Sequence, residues 1–285
     1  MTDITLALGG GGSKGYAHLG VMRSLLDLGF NIKGIAGSSA GGMAGVVYAA
    51  GFDPGVVLEA LSVVDQEKLY GFGIGPSILN PSGIHSLLVR FLGDKTFADL
   101  KIPCVVTAVD LHTMAEITLR EGNVLEAVKG TMAIPGLFPP VETEQFQMVD
   151  GMVLNPVPVA LARALDPRLP VVAVSLSPPP DRWQEVLHRD LRPASPLLRP
   201  ISRLRIAKAF DVFMRSTDMT LYMLAELRLQ QEEPDVVIRP DVFHIGSLDR
   251  VDIQAVAQLG DQAVQASLPA LNKIKKRGRW RFFGR

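Results

Sequence analysis

Residues 32–51 read IKGIAGSSAGGMAGVVYAAG, and this stretch decides the fold. Its apolar beginning predicts a short strand, and its small-residue second half predicts a helix that stops at the final glycine. Between the two lies the pentapeptide G-x-S-x-G, from Gly37 to Gly41. Glycines on both sides of a serine allow a tight strand-to-helix turn that exposes the hydroxyl. Ser39 is therefore a candidate nucleophile. The alternative is a small-residue turn that only packs a helix onto a strand.

A glycine-rich loop, GGGGSKG at residues 9–15, follows the first predicted strand and precedes a helix. Backbone N–H groups of such a loop can bind a developing oxyanion. The loop also contains G-x-G-x-x-G, which is typical of dinucleotide sites. A dinucleotide site needs an acidic residue at the end of the second strand, and that strand ends in the serine pentapeptide instead. A P-loop is disfavoured because the lysine is followed by glycine rather than Ser or Thr.

A third feature is Asp150-Gly151, at the end of a short predicted strand. A carboxylate at this position can act as the base for a serine if the fold brings the two within hydrogen-bond distance. Asp-Gly is also an ordinary turn dipeptide. The residues alone leave both interpretations open.

A histidine could complete a triad instead, and the chain has five. Only His244 has the late position that the order Ser, Asp, His requires. Its surroundings favour a packed or solvent-edge residue. The others lie in a helix, a helix start, a turn and a proline-rich segment: His18, His85, His112 and His188.

Strand and helix patterns alternate along the chain, which predicts an α/β fold with a mainly parallel sheet and helices on both faces. Strands are predicted at 4–8, 32–36, 103–110, 116–120, 147–149, 171–176 and 236–240. Helices are predicted at 16–28, 40–50, 54–64, 82–92, 124–131, 201–232 and 252–270. Residues 177–200 are rich in proline and arginine and predict an irregular excursion.

Composition narrows the functional classes. The 29 basic and 29 acidic residues balance, so net charge gives no argument for a nucleic-acid partner. The single cysteine excludes an internal disulfide and a cysteine zinc cluster. The beginning of the chain lacks a signal-peptide pattern, and no apolar run reaches the ~18 residues of a membrane span. These features predict a soluble cytoplasmic protein.

Taken together, the motifs resemble the patatin-like phospholipases, the bacterial branch of the lipid acyl hydrolases. A fourth likeness is TMAIPGLFPP at residues 131–140, similar to the family's small-x-A-x-P-x-x-F-P-P stretch. The resemblance covers most of residues 4–270. It implies a three-layer patatin architecture. It also implies a serine acyl hydrolase that cleaves lipid esters by a Ser–Asp dyad, without histidine, metal or organic cofactor.

The resemblance also implies a role for each matching residue. Ser39 is the nucleophile and Asp150 its base, and burial that raises the pKa of this aspartate would favour the role. The loop and the two motifs supply the remaining positions: Gly10, Gly11 and Gly12 for the oxyanion hole, and Lys14, Gly15, Gly37, Gly41 and Gly151 in support. Lys14 replaces the more frequent arginine. Met152 stands where the family usually has Gly or Ala, and its bulk can narrow the site or shift the aspartate.

The predicted organisation is a single patatin-like α/β domain at 1–272, with a mobile or helical cap-like excursion at about 178–235. Within it, 201–232 is apolar enough to line or cap an acyl pocket, although core packing is the commoner explanation. Two other functions stay open: a thioesterase or small-ester hydrolase with the same dyad, and a non-catalytic lipid-binding protein of the same fold.

A basic aromatic tail at 273–285 interleaves seven Lys and Arg residues with three aromatic ones. This composition suits peripheral contact with an anionic membrane. A solvated tail and non-specific contact with nucleic acid are the alternatives, and no specific nucleic-acid partner is expected.

Overall fold

The computed structural model describes residues 1–66, 69, 71–72, 79–184 and 205–283. An eight-stranded sheet forms its centre, and a two-stranded hairpin stands apart. The strands are β1 (Thr2–Leu8), β2 (Phe30–Ser38), β3 (Gly71–Phe72), β4 (Leu79–Asn80), β5 (Cys104–Asp110), β6 (Ala115–Leu119), β7 (Val141–Glu142), β8 (Gln147–Asp150), β9 (Val171–Val174) and β10 (Val236–Ile238).

Helices connect and cover these strands. They are α1 (Tyr16–Asp27), α2 (Ala40–Ala49), α3 (Pro54–Ser62), α4 (Ser82–Leu92), α5 (Val124–Thr131), α6 (Val159–Leu165), α7 (Arg205–Glu232), α8 (Ile253–Ala266) and α9 (Leu268–Phe283). Short 3-10 helices include Gly12–Gly15, directly before α1, and Gly151–Val153, directly after β8.

The sheet order is β10-β9-β1-β2-β5-β8-β7, with β6 also paired to β5. The strands from β10 to β5 pair in parallel, whereas β6, β7 and β8 pair antiparallel. This arrangement confirms the predicted mostly parallel sheet.

One feature of the pairing explains how distant parts of the chain meet. Strand β6 pairs with residues 106–110 of β5, whereas β2 pairs with 104–107 and β8 with 108–110. Because β6 occupies one edge of β5 within both of these stretches, β2 and β8 share the other edge. Ser38, the last residue of β2, is opposite Thr107, and Asp150, the last of β8, is opposite Ala108. The ends of β2 and β8 therefore meet at consecutive positions of β5.

Helices cover both faces of the sheet, because alternate strand residues point to opposite sides. One core joins side chains such as Leu6, Ile32 and Val106 to α1, α2, α3 and α8. The other joins smaller side chains such as Ala7 and Ala36 to α6 and α7. The result is the predicted three-layer architecture.

Helix α7 is long enough to extend past the sheet. Its end lies near the amino ends of the strands, since the Asp235 N–H donates to the Val171 carbonyl where β9 begins. Ala225 and Leu229 pack on the sheet face, and the preceding turns run toward the strands' carboxyl ends. The predicted helix at 201–232 is confirmed for 205–232, while 185–204, including most of the predicted excursion, lies outside the described residues.

Two helices were not expected from the sequence. Helix α6 is only seven residues long and follows a proline-rich run, which hides its pattern. Helix α9 covers much of the predicted basic tail, because Leu271 and Ile274 are buried between its charged positions. Lys275 donates to the Leu28 carbonyl and lies over the Phe30 ring, at the amino end of β2. The side chains of 277–285 lie outside the described residues.

Among the described residues, no single helix is both long and apolar enough to cross a membrane. Only α2 and α3 taken together pass by length and composition, and they form a bent pair at 120°.

Candidate active site

Ser39 stands at the turn between β2 and α2, as the pentapeptide predicts. Its backbone has φ 53° and ψ −124°, a conformation that is strained for a residue with a side chain. The flanking glycines permit the turn because their neighbours are backbone atoms. A Cβ on Gly37 would overlap Gly42, and one on Gly41 would overlap the carbonyl oxygens of Leu8 and Gly9. The elbow therefore needs glycine for close approach.

Asp150 lies directly beside this serine. The Ser39 hydroxyl donates to Asp150 Oδ2 at 2.5 Å, although 111 positions separate the two residues. The other carboxylate oxygen, Oδ1, accepts the Met152 N–H at 2.9 Å. Both side chains are buried, Ser39 being 2% exposed and Asp150 0%.

Burial raises the pKa of the Asp150 carboxyl to about 7, and the hydrogen bonds from Ser39 and from the Met152 N–H oppose that rise. The carboxylate form needs water or donors to stabilise its charge, and here two donors replace water. A group with this pKa can accept and return a proton near neutral pH.

The last residue of α5 and the segment that follows it support the two members of the pair. Thr131 Oγ1 accepts the Ser39 N–H at 2.8 Å, and the Ala133 carbonyl accepts the Asp150 N–H at 2.9 Å. These residues begin the TMAIPGLFPP stretch. The sequence indicates the motif but not its contacts with Ser39 and Asp150. A threonine two positions before an alanine carries no signal of such a role on its own.

The glycine loop lies against the serine from the other side. A Cβ on Gly10 would come within 3.1 Å of both Ser39 Cβ and the Met152 side chain. The Gly10 N–H donates to the Pro156 carbonyl at 3.0 Å, so this amide is already used within the fold. In the described part of the chain, no acceptor is found for the N–H groups of Gly11 and Gly12.

Helix α2 brings further donors that the sequence did not single out. Ser39 is the residue before its first turn, so the Ala40 N–H is one of the orphan donors of a helix start. The positive end of the helix dipole also lies here. A G-x-S-x-G elbow predicts this donor, because the residue after the nucleophile commonly contributes its amide.

Lys14 and Gly15 tie the loop to its neighbours. Lys14 is 4% exposed, and its ammonium donates to the Tyr222 hydroxyl of α7 at 3.2 Å. Burial raises the pKa of Asp218 on the same helix, and the charge of Lys14 opposes this rise. A Cβ on Gly15 would overlap the Ala40 side chain, so a glycine lets α1 and α2 begin side by side.

Gly151 and Met152 place the turn after β8. A Cβ on Gly151 would overlap Thr107 of β5, so only glycine fits there. The Met152 side chain packs on Gly10 while its N–H holds the carboxylate. Asp150 thus remains within hydrogen-bond distance of Ser39 with a methionine at this position.

None of the hydrogen bonds described for Ser39 or Asp150 involves a histidine. His18 is buried, its Nε2 lies 2.7 Å from the Gly9 carbonyl, and burial lowers its pKa to about 4. His244 is exposed after β10, in agreement with the solvent-edge interpretation. His188 lies outside the described residues. No group of three or more His, Cys, Asp or Glu side chains in the described ranges could hold a metal ion.

An apolar pocket begins at Ser39. Its walls come from α1, α2, α3 and α4, with side chains that include Tyr16, Met43, Ala44, Val47, Val57, Leu61, Ile84, Leu88 and Phe91. Ile134, Phe138 and Leu248 line it near the segment bonded to Ser39. No residue of α7 appears in this lining among the residues described. A role of 201–232 in lining or capping an acyl pocket stays a prediction.

Comparison with known proteins agrees with these motifs. The model of the patatin-like phospholipase family matches residues 6–163, which is more than half of the chain. An NTE family protein of Mycobacterium tuberculosis is 30% identical over 284 residues, covering 94% of this chain and 47% of the relative. Patatin-like phospholipase domain-containing protein 6 of Mus musculus is 25% identical over 183 residues, covering 61% of this chain and 13% of the relative.

The fold agrees with a solved structure as well. VipD from Legionella pneumophila superposes with a TM-score of 0.52 over 95% of this chain and 67% of that chain, at 13% sequence identity. This chain spans about half the length of the mycobacterial relatives, 47% in the example given. Because the family model matches more than half of the chain, the chain belongs to the patatin-like phospholipase family.

Proposed function

We propose that this protein hydrolyses carboxylic esters of lipids, with Ser39 as nucleophile and Asp150 as its base. The observation that carries the proposal is the 2.5 Å hydrogen bond between Ser39 Oγ and Asp150 Oδ2 at one end of an apolar pocket. A serine hydroxyl is a weak nucleophile until a neighbouring base accepts its proton. The buried carboxylate is such a base, and the pocket suits an acyl chain.

The reaction proceeds in two halves. Ser39 Oγ attacks the ester carbonyl carbon while its proton passes to Asp150, and the carbonyl oxygen becomes an oxyanion. The tetrahedral intermediate then breaks its bond to the alcohol, which leaves with the proton from Asp150. In the second half Asp150 takes a proton from water, whose oxygen attacks the acyl-enzyme. Collapse releases the fatty acid, and Ser39 recovers the proton.

Backbone amides supply the oxyanion hole in this scheme. The N–H groups of Gly11 and Gly12 fit the role, whereas that of Gly10 is bonded to the Pro156 carbonyl. The Ala40 N–H at the start of α2 adds a donor from the serine's own side. Losing one such donor typically costs about 3–4 kcal/mol of transition-state stabilisation.

The pocket predicts a preference for longer acyl chains. Ala40, Ala44 and Val47 line it on successive turns of α2, so Ala44 lies roughly 7 Å along the helix from Ser39. Ala44→Leu should narrow the pocket at a depth that a long acyl chain occupies but a short one does not. We expect kcat/KM for p-nitrophenyl palmitate to fall about 10-fold or more. The value for p-nitrophenyl butyrate should change little.

Ala44→Ser, which hardly changes the side-chain volume, is the matched control and should leave the palmitate-to-butyrate ratio as in the wild type. An equal fall for both esters in Ala44→Leu would place the acyl chain elsewhere.

Covalent labelling tests the nucleophile itself. A fluorophosphonate probe should attach to Ser39, with the site identified by peptide mass spectrometry, because an activated serine attacks phosphorus as it attacks an ester carbonyl. Ser39→Ala should remove the label. Ser13→Ala is the matched control, since Ser13 lines the same pocket but donates only to the Ser247 carbonyl.

Labelling at any other serine would refute the assignment of Ser39. Complete absence of label in the wild type would favour the non-catalytic lipid-binding alternative. Rates of hydrolysis of lipid esters, thioesters and short esters by the unlabelled wild type then separate the remaining functions. They distinguish a lipid acyl hydrolase from a thioesterase or small-ester hydrolase with the same dyad.

A further inference from the structure

Between residues 212 and 231, where its side chains are described, helix α7 has an outward surface without charge. Its most exposed apolar side chains, here called the α7 outer face, are Val212, Phe213, Met219, Met223 and Leu227, between 47% and 61% exposed. The other exposed positions from 212 to 231 hold only Ser, Thr and Gln. A helix that faces water normally places its charged residues on that side. Exposed apolar surface on one helix therefore needs an explanation.

The charged side chains near the end of this helix are instead paired with neighbours on its inner side. Arg228 pairs with Glu232 at 2.9 Å and also contacts Glu116, and Glu226 pairs with Arg239 at 2.6 Å. All these side chains are less than a third exposed. Over the described positions 212–232, the polarity of α7 is thus opposite to that of an ordinary surface helix.

The inner side of the same helix touches the candidate active site. Tyr222 accepts a hydrogen bond from Lys14 of the glycine loop. Met214 packs against the apolar cluster of Leu137 and Phe138, and Phe138 also lines the pocket that begins at Ser39. The α7 outer face therefore lies on a helix whose inner side contacts both the glycine loop and the apolar cluster beside the pocket.

We propose that the α7 outer face inserts into the surface of a lipid bilayer and so brings the pocket at Ser39 to the level of the acyl chains. The inference rests on the proposed function, because a lipid ester supplies the reason for this contact. From Val212 to Leu227 the face is about 22 Å long, enough for a helix lying in the membrane plane. A bilayer provides both the apolar surface that the helix lacks and the chain that the pocket accepts.

The contact is distinct from the basic tail. Lys275 is bound at Leu28 and Phe30, at the amino ends of the strands, whereas Ser39 is at a carboxyl end. An uncharged face should bind neutral phosphatidylcholine, with little dependence on salt. A basic tail requires anionic lipid, and salt weakens its attraction. Lipid composition therefore separates the two surfaces.

The experiment is flotation of the full chain with phosphatidylcholine vesicles. The variant Met219→Glu/Met223→Glu/Leu227→Glu removes apolar contact and adds three charges, so its vesicle partition coefficient should fall about 100-fold or more. The control is Val56→Glu/Val63→Glu, on α3 and directly after it, where the valines are 56% and 85% exposed. It should bind as the wild type does. Circular dichroism and the melting temperature should show that both variants are folded.

Wild-type protein that ignores phosphatidylcholine, or a triple variant that binds undiminished, would overturn the inference. So would binding that requires anionic vesicles and disappears in high salt, which would indicate the tail. A concentration-dependent dimer in sedimentation that the triple variant abolishes would assign the face to a second copy of the chain. Flotation needs no catalysis, so Ser39→Ala protein should bind vesicles as well as the wild type does. The probe labelling tests the proposed function separately, so failure of that function and failure of the membrane contact give different results.

Discussion

Asp150→Asn is expected to reduce hydrolysis of p-nitrophenyl esters by about 1000-fold, within the range that a positioned general base contributes. Asparagine keeps the size of the side chain and can still contact the Ser39 hydroxyl, but it cannot take up the proton that the serine must lose. Steady-state rates and fluorophosphonate labelling kinetics on purified protein measure the loss. A variant with near wild-type turnover would show that another group acts as the base.

The same substitution should make the folded chain more stable at alkaline pH. Burial raises the pKa of Asp150 to about 7 in the fold, while in the unfolded chain it is near ~4. Between those values the native state holds a proton that the unfolded state has released, so stability falls as pH rises through this window. Asparagine carries no such cost. We expect Asp150→Asn to be about 2–4 kcal/mol more stable at pH 8 and close to the wild type at pH 4.

Urea unfolding at pH 4, 6 and 8 measures the difference, and Asp110→Asn is the matched control. Hydrogen bonds from the Thr113 hydroxyl and from backbone N–H groups lower the pKa of Asp110 to about 2, despite some desolvation. The sign is then reversed: its contribution to stability is present above pH 4 and is lost as pH falls toward 2. Asp110→Asn should therefore be less stable than the wild type at pH 8. A gain in both variants would refute the explanation from burial.

The pH dependence of catalysis follows from the same pKa. Asp150 must be ionised to accept the serine proton, so kcat/KM should rise as pH increases through about 7 and then level off. The ionised form of this carboxyl is thus both the form that is active in catalysis and the form that lowers the stability of the fold. At this site, reactivity and stability are opposed.

Much of this site could be predicted from sequence because its constraints are local. Glycines at fixed spacing around Ser39 specify an elbow, and strand and helix periods on either side specify its context. The alternating pattern likewise predicts the sheet, since a parallel arrangement needs a helix between neighbouring strands. Each of these signals extends over fewer than ~20 residues.

The remainder depends on pairing between distant segments. Nothing near Asp150 indicates that β8 shares an edge of β5 with β2, yet that pairing brings the carboxylate to Ser39. The hydrogen bond from the Gly10 amide to the Pro156 carbonyl is equally non-local, so the sequence alone does not distinguish the three neighbouring glycines as oxyanion donors. The inverted polarity of α7 required knowledge of which side faces the sheet.

The elbow at Ser39 depends on the absence of a side chain at Gly41. Gly41→Ala is expected to cost more than about 3 kcal/mol of unfolding free energy, beyond the usual range for overpacking, or to prevent folding. The added Cβ would overlap the carbonyl oxygens of Leu8 and Gly9, which are backbone atoms at the end of the central strand β1. A side chain could turn aside, but this backbone is fixed by its ladder to β2 and β9.

Gly55→Ala is the control, because a Cβ there would meet only Asp53 Oδ1 of a side chain, at 3.0 Å. Alanine also favours a helix over glycine, so we expect a change within about 1 kcal/mol, or a small gain. Urea denaturation followed by far-UV circular dichroism compares the two variants. If Gly41→Ala unfolded at the wild-type urea concentration, the close packing of α2 on β1 would not be what requires glycine. Loss of the fold in Gly41→Ala, beside loss of labelling alone in Ser39→Ala, would separate the residue that builds the elbow from the one that reacts.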